Sequence, residues 1–271
     1  MAITLIAGLA SAAGHALAIS AFTFSWAAFA IGAGLSLVSR ALMPKLDAGS
    51  QIGGRSVTTR EAAQSRKIVY GRARIGGNIV YLESTGTDNK YLWLVIAVAG
   101  HEIDAYEEVW FNDKKIWDGG SYVGSWGSYV DIGFYKGDQT TADNSSQRGS
   151  ASLVSNSSKW TDNHKLLDTA YMVVKLTYDA DQFAQGLPNI STVIRGKKVL
   201  DPASITAGSF VVGKKYQISA VGNTNFTAIG ASANTVGVEF TATGVGSGTG
   251  TALLIDWSDN PALCVYDYLR D

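Results

Sequence analysis

The sequence predicts a mainly β protein: an antiparallel sheet or barrel domain, preceded by an apolar helical segment and interrupted by a small inserted β module. Three observations carry this expectation. Across residues 66–113, short β-branched and aromatic runs alternate with glycine or polar turns, and links this short do not allow the crossovers that parallel strands need. Glycine is abundant, with 30 residues against 4 prolines, so many turns can adopt conformations that other residues avoid. Residues 5–43 contain only His15 and Arg40 as ionisable side chains, a texture found nowhere else in the chain.

That apolar stretch, residues 1–44, is expected to be helical. Small residues recur every fourth position at Gly8, Ala12, Ala16 and Ser20, then at Ala28, Gly32 and Ser36. On a helix they line one slowly drifting face that another helix can approach closely. Gly8, Ala12 and Gly32 are therefore candidate contact positions. Three readings stay open: an assembly helix buried against other subunits, a membrane-active or spanning segment, and a helical hairpin within this chain. A signal peptide fits poorly, because no Lys or Arg precedes the run and the run is too long. Met43-Pro44 ends the helix. Residues 45–63 are polar and read as a linker or extended arm; Gly53-Gly54 lacks the rest of a phosphate loop.

Residues 64–204 with 253–271 form the expected β domain. Strands are predicted at residues 68–72, 75–83, Tyr91–Ala99 and 103–111, pairing in order as a meander. Gly76-Gly77 marks a bend or bulge. The unbroken apolar run of Tyr91–Ala99 suits a strand buried on both faces. Alternation in 103–111 places Tyr106, Glu108 and Trp110 on one face, opposite Glu107, Val109 and Phe111. Gly100-His101 reads as a tight, solvent-exposed turn. Asn112-Asp113 is a hairpin turn leading to a strand at 115–117, and Gly119-Gly120 turns the chain again. A strand at 129–135 precedes a polar excursion, 136–163, with a short helix near 151–160. Strands follow at 169–178 and Ile190–Arg195, and Asp201-Pro202 closes the next one.

Residues 205–252 change character: Thr, Gly, Val and Ala dominate, and charge nearly vanishes after Lys215. Strands are expected at 214–220, Phe226–Ile229 and 235–243. A module of this size is expected to have little core of its own and to lean on its host. Beyond it, Asn260 can cap a helix with Pro261 in its first position. Leu263, Tyr266 and Leu269 share a flank of that helix, and the domain is expected to continue past residue 271.

The charges give no sign of catalysis. Net charge is −1 from 22 basic and 23 acidic side chains, so no overall field favours nucleic acid. Cys264 is alone, which excludes an intrachain disulfide, and it reads as a small buried hydrophobe. His15, His101 and His164 are scattered without metal-ligand spacing. Asp179 and Asp181 lack the remainder of a calcium loop. No enzyme activity, cofactor or metal is expected. Tyr106, Glu108 and Trp110 could serve a glycan-binding surface or a protein contact.

Residues 66–86 (RKIVYGRARIGGNIVYLESTG), 89–113 (NKYLWLVIAVAGHEIDAYEEVWFND) and 187–202 (LPNISTVIRGKKVLDP), followed by 257–269 (WSDNPALCVYDYL), resemble, in order, the N-terminal hub region of phage tail-tip proteins of the host-specificity J, or central tail-fibre, type. The resemblance spans most of residues 57–202 and 257–271, and residues 205–252 resemble a small module found in various phage structural proteins. The resemblance implies a structural virion protein at the distal end of the tail: a trimeric hub that surrounds the DNA exit channel and joins the tail to distal fibre parts. Its implied partners are further copies of itself and tail-tip, baseplate and tail-tube proteins, with passing DNA as cargo and transient contact with the host membrane. Carried over as structural or interface positions are Arg66, Tyr70, Gly71, Gly76, Gly77, Gly100, Asn112, Pro188, Asn189, Arg195, Gly196, Asp201, Pro202, Trp257, Asn260 and Pro261. Without the resemblance, the alternative is a membrane-associated or glycan-binding surface protein.

Overall fold

The computed structural model describes residues 58–60, 65–140 and 152–270. The expectations for the apolar segment, including Gly8, Ala12 and Gly32, and for most of the 45–63 arm lie outside the described residues.

Among the described residues, thirteen strands form three antiparallel sheets, and none closes into a barrel. The first sheet has the order β2 (Asn78–Thr85), β3 (Tyr91–Ala99), β8 (Ala170–Thr177), β7 (Val130–Tyr135). The second runs β1 (Arg72–Gly76), β9 (Ile190–Arg195), β4 (Ala105–Phe111), β5 (Lys114–Asp118), β6 (Ser121–Tyr122). The third runs β10 (Lys198–Thr206), β13 (Thr251–Trp257), β11 (Lys215–Ala220), β12 (Glu239–Thr241). Two helices accompany them, α1 (Leu153–Asn156) and α2 (Pro261–Arg270).

β3 is the strand its composition demands. It lies between β2 and β8, and Leu92 through Ile96 are at most 1% exposed. The expected four-strand meander is corrected, however. β2 and β3 do pair as a hairpin, but β1 and β4 belong to the second sheet, on either side of β9. The first strand begins at Arg72 rather than Ile68. The chain changes sheets at Gly76-Gly77, where a single residue separates β1 from β2. A β-carbon on Gly77 would sit 2.3 Å from Ile96 Cγ2 and 2.6 Å from the Ala97 carbonyl oxygen. Only glycine lets the two backbones pass this closely.

Aromatic side chains join the first two sheets. The Tyr106 ring lies 4.9 Å from Phe134, Trp117 lies 4.4 Å from the same ring, and Tyr106 donates its hydroxyl to the Tyr135 carbonyl at 3.0 Å. The expected face shared by Tyr106, Glu108 and Trp110 is thereby broken. Tyr106 pairs with Ile194 and Glu108 with Val193, so Glu107 is an extra residue in β4. A bulge of this kind reverses the alternation beyond it. Tyr106, Val109 and Phe111 are buried together, while Glu108 and Trp110 face the other way, half-exposed.

The third sheet is continuous with the inserted module. β10 does not stop at Asp201-Pro202: it runs to Thr206 with a register shift between Leu200 and Ser204. Proline is tolerated there because β10 is an edge strand and irregular at that point. The chain returns as β13, which pairs with β10 from Thr251 to Trp257. The module also has its own core, contrary to expectation: Phe210, Tyr216, Phe226 and Phe240 pack at ring separations of 5.0–5.9 Å, joined by Ile218, Ile229 and Ala252. Phe226–Ile229 is a 3₁₀ turn rather than a strand, and within 235–243 the strand itself is only Glu239–Thr241, with Gly237, Val238 and Ala242 bonded to the neighbouring segment on either side of it. Gly230 and Gly237 take φ +109° and +88° beside those segments; Phe226 is buried and Val236 exposed.

Candidate functional site

Gly71, Arg195, Gly196 and Trp257 converge where β9 passes into β10. Segment 65–71 leads into β1 alongside this crossing. Gly196 donates its N–H to the Gly71 carbonyl, and Lys197 donates to the Val69 carbonyl, each at 2.8 Å. Gly71 adopts φ +61°, which redirects the chain into β1. Trp257, at the end of β13, donates its indole N–H to the same Gly71 carbonyl at 3.3 Å. The Arg195 guanidinium lies 5.3 Å from the Trp257 ring and pairs with Asp104 at 2.6 Å. α2 then docks beside β10. Asn260 accepts from the Ala262 N–H at 3.0 Å and Pro261 takes the first helical position, as expected.

The helix presents an unexpected face. Tyr266 and Leu269, on the flank shared with Leu263, are 42% and 77% exposed, while Asp267 is 3% exposed. The buried carboxylate explains the rotation. Asp267 Oδ2 accepts from Lys197 Nζ at 2.7 Å and from the Tyr70 hydroxyl at 3.0 Å, and Arg270 approaches Oδ1 at 3.9 Å. A buried carboxylate must have such partners. Burial by itself would raise its pKa, but the bonds from Lys197 and Tyr70 outweigh that and hold it below the usual carboxylate range. Burial, reinforced by the bond to Asp267, raises the Tyr70 phenol in turn. Cys264 is half-buried, with its thiol 3.6 Å from the Ser258 carbonyl, and burial raises its pKa.

His101 is not the solvent-exposed turn residue expected. It is half-buried, accepts the Val69 N–H on Nε2 at 2.9 Å, and places Nδ1 2.7 Å from the Glu102 carbonyl. Gly100 donates to the Lys67 carbonyl at 2.9 Å, so the β3–β4 turn clasps the lead-in segment. A cleft of about 250 Å³ opens between this turn, β10–β12 and α2. Its charged lining is paired: Lys197 with Asp267, Lys198 with Glu102 at 3.0 Å, and Lys215 with Glu239 at 2.8 Å.

The other nominated residues serve different places. Arg66 donates to the Asp168 carbonyl at 2.8 Å, and Gly76 accepts from Lys67 Nζ at 2.8 Å. Asn112 takes φ +52° in the β4–β5 turn, as expected, and exchanges bonds with Asn189: its N–H donates to the Asn189 carbonyl at 2.8 Å, and its side-chain oxygen accepts the Asn189 N–H at 3.0 Å. The Asn189 side chain also accepts the Thr58 N–H at 2.7 Å, while Thr59 bridges in parallel to Asn78. Trp110 lies on the outer face of the second sheet with Arg74 4.5 Å from its ring centre and its N–H on Glu108 at 2.8 Å. Among the described residues, no group of three or more His, Cys, Asp or Glu side chains is placed to hold a metal ion.

Lys197, His101 and Asp267 find partners far away in the sequence. For Asp267 a signal existed: it is the only charged residue of α2 before Arg270. For His101, nothing local distinguishes a ring that accepts from a backbone amide 32 residues earlier.

No protein-family model matches the chain, and no curated protein matches it. Among solved structures, the chain is similar to one in the "Virion of native gene transfer agent (GTA) particle", with a TM-score of 0.37 and 16% identity over 65% of this chain and 39% of that one.

Proposed function

We propose that this chain is a structural component of a bacteriophage tail tip, an oligomeric hub, in trimers, that joins the tail to distal parts around the DNA exit channel. One observation carries the reading. The segments resembling tail-tip hub proteins are far apart in sequence, yet they supply neighbouring strands β1, β9 and β4 and meet again at Gly71, Gly196 and Trp257. Their shared character is thus that of one structural unit rather than of scattered motifs. The paired charges at the junction suit a load-transmitting connection better than a reactive pocket. Further copies of the chain, baseplate and tail-tube proteins are the partners this role requires, with DNA as passing cargo.

A glycan-binding surface on β4 has less support. Arg74 stacks on Trp110, and Tyr106 is buried between sheets. A sugar ring would have to displace the guanidinium before it could lie on the indole.

The test is cryo-electron microscopy of particles produced by the encoding phage, with antibody labelling of residues 205–252. The expected result is label and density for this chain at the distal tail end, arranged about a three-fold axis. Particles whose tail tip lacks the chain would overturn the proposal.

A further inference from the structure

We propose that His101 is an acid-sensitive latch, which fastens the Val69 amide of the lead-in to β1 onto the β3–β4 turn and lets that amide go when the imidazole takes up a proton. The hydrogen-bond pattern allows one neutral tautomer. The Val69 amide can only donate, so Nε2, at 2.9 Å, carries no hydrogen; the Glu102 carbonyl can only accept, so Nδ1, at 2.7 Å, carries one. Protonation puts a hydrogen on Nε2 facing the Val69 N–H. The bond becomes a donor–donor contact and cannot persist.

The surroundings make the charge unwelcome. Burial is the largest influence; Lys197, from the β9–β10 link, and Arg66, from the lead-in itself, also oppose a cation at His101. Glu102, through its carbonyl and its carboxylate, favours one, yet the net effect holds the imidazole below the ordinary histidine value. The Glu102 carboxylate is also engaged by Lys198 at 3.0 Å. The remaining charges lining the cleft are Lys215 with Glu239, and Asp267 with Lys197 and Arg270, all paired among themselves.

Gly100 on the Lys67 carbonyl and Lys197 on the Val69 carbonyl also hold the lead-in, so the bond to His101 governs the Val69 amide rather than the whole segment. Residues 65–70 belong to no strand, and the Val69 N–H is held by a side chain rather than by a sheet neighbour. Because the folded-state pKa is depressed, the latch contributes its full stability above the unfolded histidine value. That contribution is lost as pH falls from there through the folded-state value. The latch belongs to the junction whatever particle the chain serves in.

The experiment uses the full chain. Nitrogen-15 NMR of the His101 ring reads its tautomer and titration, and hydrogen exchange, corrected for intrinsic rates, reads protection of the Val69 amide between about pH 7.5 and about pH 5. The expected result is an Nδ1–H tautomer at neutral pH. Val69 protection then falls about five-fold or more in step with the imidazole titration, while Leu94 in β3 keeps its own. His101→Gln supplies an acceptor that does not titrate, so it retains neutral-pH protection and abolishes the step. An Nε2–H tautomer at neutral pH, unchanged Val69 protection through the titration, or a step that survives in His101→Gln would overturn the latch. If that variant does not fold, the wild-type tautomer and titration decide alone.

Discussion

At Gly196 a β-carbon would lie 2.1 Å from the Val69 carbonyl oxygen and 2.6 Å from its carbon. The obstacle is backbone, which cannot swing aside as a side-chain tip can. Gly196→Ala is therefore expected to cost about 2–3 kcal/mol, as overpacking does, read as a lower denaturant midpoint with an unchanged slope. Asp267 makes a prediction of another kind. Asp267→Asn keeps the shape but removes the charge that Lys197 and Tyr70 serve, and is expected to lose about 2 kcal/mol near neutral pH. Its pKa is lowered on folding, so the carboxylate's contribution is complete above the ordinary value of 3.8 and disappears as pH falls through the folded value. The wild-type advantage measured by urea unfolding should shrink over that acid range and stay flat above it. A difference independent of pH would mean that the pair adds nothing beyond packing.

Among the elements, β4 and α2 show how a local pattern can be right about type and wrong about face. The bulge at Glu107 sends Tyr106 to the core and leaves Trp110 outside, although strict alternation would put them together. In α2 the cap was legible, because Asn260 and Pro261 act within one turn. Asn260→Ala is expected to remove one amide bond at the helix start and cost about 1 kcal/mol, detectable as a lower melting temperature. The buried face of α2 was not legible, because Asp267 finds its partners on residues 70 and 197. Helix periodicity groups Leu263, Tyr266 and Leu269 on one flank, yet the inward side belongs to Asp267, which meets Lys197 and Tyr70.

At the scale of the whole molecule, the inserted module has a core and an attachment that can be separated. Thr206 and Thr251 are paired neighbours in the antiparallel ribbon of β10 and β13. Replacing residues 207–250 by a two-residue type I′ turn should close that ribbon as a hairpin. The shortened chain is expected to keep the first two sheets and the Tyr70–Asp267 contact, seen as preserved near-ultraviolet circular dichroism from the remaining aromatics. Unfolding of the whole shortened chain would show that the host depends on the module's core.

The sequence by itself determined the mainly β, antiparallel character, the doubly buried β3, the Asn112-Asp113 hairpin and the capped start of α2. Each of these follows from residues within a few positions of one another: a run of apolar side chains, a turn that needs positive φ, a cap before a first turn. Only the tertiary structure decided which strands share a sheet, that β9 lies between β1 and β4, and that Asp267, Lys197, Tyr70 and His101 meet at one junction. Strand partnership and charge pairing depend on which distant surfaces remain unsatisfied once the local elements form. Many pairings of similar strands fit the same hydrophobic pattern, and close contacts such as Val69 against Gly196 and Ile96 against Gly77 select the one that packs.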